Sequence, residues 1–366
     1  MKKIFIAATK QNDGKTTVAL GLIFNLGSRF KNIGFIKPIG QRYLEEDGLK
    51  VDEDSVLIER VVASSHVSCG LKDMNPVAVE RGFTENYIKH PEEASITRQI
   101  NESFKRVAHK RDIVIIEGTG HAGVGSVFDH SNARVARLLN SKVILVSSGG
   151  IGRPIDEIML NKALFDREGV KLAGVIINKV LPEKFDKVSN LVKKGLKAKG
   201  VEVLGAVPYD PMLSYPTIAQ ILEETEFELV CLDETSLGNK VSKVIIGAME
   251  SHDAIKYIVD DSLLITPGDR EDMLKLALSC YRDNDKNKLK ISGVVLSCGI
   301  TPSKDIINLF KERSVPVLLA NKDTYTVASI VHDITVKIRP QDKEKIDIAI
   351  KLIKNNVDLD KLLKSI

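Results

Sequence analysis

The chain has 366 residues, and 53 Lys and Arg against 49 Asp and Glu leave a formal charge of only +4. That balance excludes a heavily basic nucleic-acid binder, while 43% hydrophobic and 28% charged residues exclude extended disorder. At about 150 residues per domain the length suits two domains better than one core. Cys69, Cys231, Cys280 and Cys298 form no CxxC pair and cluster with no histidine, so they read as reduced thiols rather than a disulfide framework or zinc site. Lys2-Lys3 followed by Ile4 to Ala8 is too short for a secretion signal, and no segment approaches the roughly 18 to 20 apolar residues of a membrane span. A soluble cytoplasmic protein is expected, with no nucleic-acid or membrane partner.

The first apolar run, Ile4-Phe5-Ile6-Ala7, predicts a strand buried on both faces. It leads into Thr9-Lys10-Gln11-Asn12-Asp13-Gly14-Lys15-Thr16-Thr17 and then a helical pattern from Thr17 to Phe30. Strand, loop and helix in that order are what the GxxxxGK[ST] phosphate-loop pattern requires. Gly14 lets backbone N–H groups face phosphate oxygens, with Asn12, Asp13, Lys15, Thr16 and Thr17 around them, and the helix N-terminus adds partial positive charge. Lys15 brings a full charge to the terminal phosphates, and Thr16 offers its hydroxyl to Mg2+. The first glycine of the pattern is missing, with Ala8 and Thr9 in its place. Lys10 stands five residues before Lys15, the spacing of the extra lysine in the deviant loops of partition and nitrogenase-type ATPases; here a solvated loop lysine is expected.

Ile33 to Ile36 predicts a second strand ending in Lys37-Pro38, whose lysine suits a transferred phosphoryl group or an acidic substrate. Asp52-Glu53-Asp54 reads as an acid cluster at a helix start, and composition does not choose among its carboxylates. Ile113 to Ile116 predicts a strand that ends in Glu117-Gly118-Thr119-Gly120, placing Glu117 at the carboxyl edge where open α/β sheets bind ligands. Mg2+ is hard, octahedral and held by one or two carboxylates plus waters, so Glu117 is a metal candidate. His121 in the glycine-rich loop beyond is a candidate acid/base group. A helix over Asn132 to Leu139, capped by Ser131, and strands at Val143 to Val146, Ala173 to Ile177 and Val203 to Val207 follow. Asn178 ends one of these strands and can read a purine edge; no Asp stands two places after Lys179, so a guanine-specific reading fails and ATP is preferred. The alternation predicts an α/β fold, a doubly wound, mostly parallel sheet of the P-loop NTPase type.

Three prolines between Pro208 and Pro216 mark a domain boundary. Strand-like runs then resume at Leu229 to Leu232, Val244 to Ala248, Leu263 to Thr266, Ile291 to Leu296 and Val315 to Leu319, so the second half is also α/β. From Lys343 onward Ile346, Ile350, Ile353 and Val357 fall at helical spacing among balanced charges, which predicts a docked helix rather than a membrane-surface one. No repeat of fixed period is found.

Gly14-Lys15-Thr16, Lys37-Pro38, Asp54, Glu117-Gly118 and Asn178 with Gly205-Ala206-Val207-Pro208 resemble the dethiobiotin synthetase and cobyrinate synthetase group over residues 1–210. The resemblance implies that Thr16, Asp54 and Glu117 hold Mg2+, that Lys15 and Lys37 face the phosphates as catalytic groups, and that Asn178 and Pro208 contact the base. It is the resemblance that selects Asp54 over Asp52. Lys37-Pro38-Ile39-Gly40-Gln41-Arg42 and Glu117 to Ser126 look more like the N-terminal half of long bacterial phosphotransacetylases and their short relatives. A dethiobiotin synthetase usually carries a small hydroxyl residue near the position of Gln41. Residues 217–331 then resemble a DRTGG domain, with Asp269-Arg270 kept and Leu296-Ser297-Cys298-Gly299 in place of Thr-Gly-Gly, and 332–366 form a C-terminal extension. Only some 35 residues follow that domain, so acetyl transfer is not expected of this chain. The resemblance implies a Mg·ATP-binding regulatory or sensory protein, a homodimer with a small-molecule ligand at the second domain. The alternatives are an ATP-dependent synthetase that activates a carboxylate or carbamate by phosphoryl transfer, and a scaffold that binds nucleotide without turnover. No cysteine sits in a nucleophile turn with a paired histidine, which excludes a glutaminase partner domain in this chain.

Overall fold

A computed structural model describes residues 1–46, 48–62, 70–231, 234–280 and 289–366. The chain divides into two units, the first made of Met1–Asp210 and Ile338–Ile366, the second of Pro211–Lys337. The first unit therefore contains the whole second unit as an insertion between its last strand and its last helices. In chain order it holds β1 (Lys2–Ala8), α1 (Lys15–Leu26), β2 (Ile33–Ile36), β3 (Ile39–Gly40), β4 (Tyr43–Glu46), β5 (Leu49–Asp52), α2 (Glu53–Val62), α3 (Leu71–Met74), β6 (Val77–Ala78), α4 (Phe83–Lys89) and α5 (Glu93–Ala108). Then come β7 (Ile113–Glu117), α6 (Asn132–Leu138), β8 (Lys142–Ser148), α7 (Gly152–Arg167), β9 (Leu172–Val180), α8 (Phe185–Lys197) and β10 (Val203–Pro208).

Six of these strands form one parallel sheet in the order β10-β9-β8-β1-β7-β2. The Val- and Ile-rich runs are buried on both sides because a helical layer covers each face. One layer packs α5, α6, α7 and α8 through residues such as Phe104, Val135, Ile158 and Val192. The other packs α1 and α2 through Leu20, Leu22 and Ile58. The loop after β1 thus leads to one face and the loop after the neighbouring β7 to the opposite one. This is a topological switch point, the place where such sheets open a crevice at their carboxyl edge. The paired strands β3-β6 and β4-β5, which lie between β2 and α5, had no counterpart among the sequence expectations; all four are only two to four residues long, so they carry little periodic signal.

The second unit runs α9 (Ile218–Glu224), β11 (Glu228–Cys231), β12 (Lys243–Ile246), α10 (Ser251–Ala254), β13 (Ser262–Pro267), α11 (Glu271–Cys280), β14 (Ile291–Ser297), α12 (Lys304–Glu312), β15 (Val317–Leu319) and α13 (Thr324–His332). Its sheet has the order β11-β15-β14-β13-β12, parallel except for β11. Met273, Leu274, Ile306 and Phe310 cover one face, and Ile218, Val327 and Val331 the other. Cys231 and Cys280 are free and buried, Cys298 is free and exposed, and Cys69 lies outside the described residues. No helix among the described residues is long and apolar enough to cross a membrane.

After Lys337 the chain returns to the first unit as α14 (Lys343–Asn356) and α15 (Leu359–Ser365). From Ile338 onward the chain is part of the first unit, because Ile346, Ala349 and Ile353 bury their side chains with α1. Gly21 on α1 permits the approach, since a Cβ there would stand 2.6 Å from the Ile353 Cβ. An antiparallel bridge between Gly205 and Val357 ties the segment to β10. Truncating Ile353, which is wholly buried, to alanine should destabilise the first unit by about 2–5 kcal/mol, read as an earlier midpoint in urea unfolding. An unchanged midpoint would mean that α14 contributes no packing to it.

Candidate nucleotide site

The loop between β1 and α1 is folded by its own side chains. Gly14 is the residue before α1 and has φ 96°, a left-handed conformation that disfavours any side chain. A Cβ there would also strike the Asn178 amide. Asp13 turns inward, 3% exposed, and accepts from the Thr9 hydroxyl at 2.7 Å, the Lys10 N–H at 2.8 Å and the Ser148 hydroxyl. Asn178 Nδ2 donates to the Asp13 carbonyl at 2.8 Å, and Lys179 Nζ donates to the Asn12 carbonyl at 2.7 Å. Asn12, Asp13 and Asn178 thereby shape the loop, while Gly14 caps the helix and Lys15, Thr16 and Thr17 open its first turn. Pro208 ends β10 at the same carboxyl edge, paired with Val180. Lys10 makes an ion pair with Glu157 on α7 instead of standing free in solvent.

Across the switch point, the Thr16 hydroxyl donates to Glu117 Oε1 at 2.8 Å. Glu117 is fully buried, and its Oε2 has no hydrogen-bond partner. Its carboxyl is pushed up to about 7, by burial first and the Asp54 charge second, against the pull of Lys37, Thr16 and Lys15. Lys15, 9% exposed, is lowered from its ordinary value chiefly by burial; Glu117 opposes that and Lys37 adds to it. Lys37 lies at the end of β2, 4% exposed, with Nζ 2.7 Å from Asp52 Oδ1 and in contact with Asp54 Oδ2. Burial alone would lower its pKa, but Asp54, Asp52 and Glu117 together raise it. Thr16, Lys15, Lys37, Asp54 and Glu117, which are distant in sequence, are thus brought into one electrostatic cluster.

Sequence reasoning did not find two supports of this cluster. Asn132, at the start of α6, donates from Nδ2 to the carbonyls of Thr119 at 2.6 Å and His121 at 2.7 Å, and accepts from the Thr119 N–H at 3.0 Å. It pins the loop that leaves Glu117. Asn75 bridges the Lys37 carbonyl at 2.8 Å and the Asp52 N–H at 2.9 Å. An asparagine beside a helix start or a short strand reads as a cap or turn residue, so neither position gave a signal. His121 is exposed, with Nδ1 accepting from the Gly123 N–H at 3.2 Å.

The cluster passes a test for a divalent cation. Glu117 Oε2 is a buried acceptor with nothing donating to it, on the same carboxylate that takes the Thr16 hydroxyl. Among the described residues no group of three or more His, Cys, Asp and Glu is assembled for a metal. Mg2+ in a nucleotide site needs only one or two carboxylates, completing its shell with phosphate and water.

A family model described as an AAA domain, AAA_26, matches residues 2–217. The chain belongs to this family. The match places the AAA_26 domain over the six-stranded sheet and the phosphate loop, and a second model, the DRTGG domain, matches residues 220–334. Phosphate acetyltransferases resemble nearly the whole chain: that of Pseudomonas putida is 25% identical over 98% of this chain and 51% of its own length. That of Nitrosomonas europaea is 22% identical over 100% of this chain and 52% of its own. The chain thus spans about half the length of these curated relatives and matches their N-terminal halves. Among solved structures, MinD from Pyrococcus horikoshii, complexed with Mg-ADP, aligns with 58% of this chain and 83% of its own at 18% identity and TM-score 0.35. The CBS and DRTGG domains of the regulatory region of Clostridium perfringens pyrophosphatase, complexed with the activator diadenosine tetraphosphate, align with 44% of this chain and 77% of theirs at 16% identity and TM-score 0.26.

In the DRTGG domain the retained Arg270 has a structural role. Arg270 forks onto Asp272 with both contacts at 2.9 Å and donates to the carbonyls of Gly247 at 2.9 Å and Met249 at 2.8 Å. It joins the end of β12 to the start of α11.

A carboxyl held above its unfolded value, here 4.5 raised to about 7, keeps an extra proton in the folded state, so the stability this provides is lost as pH rises through that window. Glu117→Gln should therefore melt higher than the wild type above about pH 7 and show less loss of stability between roughly pH 5 and 7. Thermal melts of both proteins across that range check it; a difference that is flat with pH would refute a protonated Glu117.

Proposed function

We propose that the chain is a regulatory Mg·ATP-binding protein, with the nucleotide seated in the AAA_26 domain and its state linked to the DRTGG domain. The observation that carries the regulatory reading is the return of the chain. The segment leaving the DRTGG domain becomes α14, which packs along α1, the helix that begins with Lys15 and Thr16. A shift in that helix at either end is then felt at the other, since packed cores transmit displacement instead of absorbing it.

In this reading the backbone N–H groups around Gly14 and the Lys15 ammonium hold the β- and γ-phosphates. Thr16, Asp54 and Glu117 hold the metal and its waters, and Mg2+ would neutralise phosphate charge and fix the phosphate geometry. Lys15 keeps its charge on binding because the phosphates replace the solvation that burial removed. Asp13, Asn178 and Lys179 hold the loop in shape before the ligand arrives, which lowers the ordering cost of binding. Asn178 and Pro208 flank the side on which the base would lie. The synthetase reading retains one favourable observation, the burial of Lys37 beside the metal carboxylates, where it could meet a substrate phosphate.

Lys15→Ala should abolish Mg-dependent ATP binding, a loss of at least about 2–3 kcal/mol, measured by calorimetric titration with and without Mg2+. Unchanged affinity would remove the phosphate-loop assignment. ADP release measured across a panel of carboxylate and amine metabolites separates the two readings: stimulated release with one of them supports a synthetase, and a flat panel with binding intact supports regulation.

A further inference from the structure

Far from the nucleotide cluster, the outer side of α8 carries a stripe of unmatched charge. The helix buries Val188, Val192 and Leu196 in the core of the first unit. Its other side bears Lys184, the residue just before the helix, then Lys187, Leu191 and Lys194, spaced i, i+3, i+7 and i+10 and so in one line. All four are exposed, Leu191 at 44%, and the three lysines make no ion pair with any described residue. Lys184 and Lys187, one turn apart, repel each other across the surface. The second unit carries a surface of opposite character. A cavity of about 500 Å3 lies between the turn from α9 to β11, the segment after β15 and Ile330 of α13. Glu223, Glu224 and Glu226 line it against a single cation, Lys322, while Phe227, Ala320 and Ile330 give it apolar walls.

We propose that these two surfaces bind each other between two copies of this chain, with Leu191 of one copy seated in the cavity of the other and Lys187 and Lys194 on its glutamates. The two halves match in charge and in shape. A leucine with a lysine one turn to either side enters an apolar hollow edged by carboxylates, and the lysine stems lie along its walls. Burial of the leucine supplies affinity, and the charge pairs around it fix the orientation and speed the encounter. A formal charge of only +4 over 366 residues leaves little general repulsion between copies to oppose this. The contact joins unlike patches. Made twice about a twofold axis it closes a dimer, and made once per copy it continues as a ring or an open chain. It is independent of the nucleotide reading above.

Sedimentation velocity of the full chain at about 50 μM, in about 50 mM and about 500 mM NaCl, tests this. The wild type should sediment above the mass of one chain at low salt and fall toward it at high salt. One variant carries Lys187→Glu and Lys194→Glu, a second Glu224→Lys and Glu226→Lys. Each alone should weaken the low-salt association about tenfold or more. Mixed in equal amounts they should associate again, because the reversed stripe of one meets the reversed cavity of the other. All four positions are exposed, so both variants should melt as the wild type does. Leu191→Asn should give the same loss of association and stands in for a charge-reversed chain that does not fold. A wild type that stays single at low salt, folded variants that keep its association, or a mixture that stays single overturn the proposal.

Discussion

Five ionisable side chains share one end of a parallel sheet that water scarcely reaches, and the arrangement of the first unit follows from keeping them compatible. Each of Lys15, Lys37, Asp52, Asp54 and Glu117 is at most 9% exposed. Burying one such charge alone would cost several kcal/mol, so none could be tolerated without the others. The carboxylates lie at strand ends or a helix start, Lys15 opens α1, and Lys37 directly follows β2. Only a sheet whose adjacent loops leave toward opposite faces brings all of those termini together.

That dependence explains the polar scaffolding around the cluster. Asn75 and Asn132 bond mainly to backbone groups and hold the segments after β2 and β7 in fixed positions. Asp13 and Asn178 do the same for the loop after β1. Each replaces a backbone partner that a regular helix or strand would have supplied, which is why irregular chain can stay ordered beside a buried charge group.

Much of this was legible in the sequence because the signals were local. The Val- and Ile-rich runs gave the six strands of the main sheet, and Gly14-Lys15-Thr16 between a strand and a helix marked the crevice. Ser131 does cap α6, accepting from the Arg134 N–H at 3.1 Å. Choosing Asp54 over Asp52 needed a family resemblance, since two residues of one short acidic run differ only in what they meet in three dimensions. The structure shows both in contact with Lys37, a pairing no spacing rule expresses. The pairing of the two-residue strands β3 and β6 was likewise invisible, because it depends on chain closure across 77 − 39 = 38 positions and not on pattern. The placement of α14 against α1 was beyond reach for the same reason: its amphipathic spacing announced a docked helix and could not say where.

The position of that last helix bears on how the protein is made. Ribosomal synthesis delivers α1 early, yet the apolar surface that α14 covers stays open until the inserted unit and then residues 338–366 have emerged. The inserted unit can condense meanwhile on its own cores. A nascent chain of this kind carries an unfinished hydrophobic flank from the synthesis of α1 until residues 338–366 follow, so chaperone attendance over that interval bears more directly on its yield than on that of a protein whose domains close one after another.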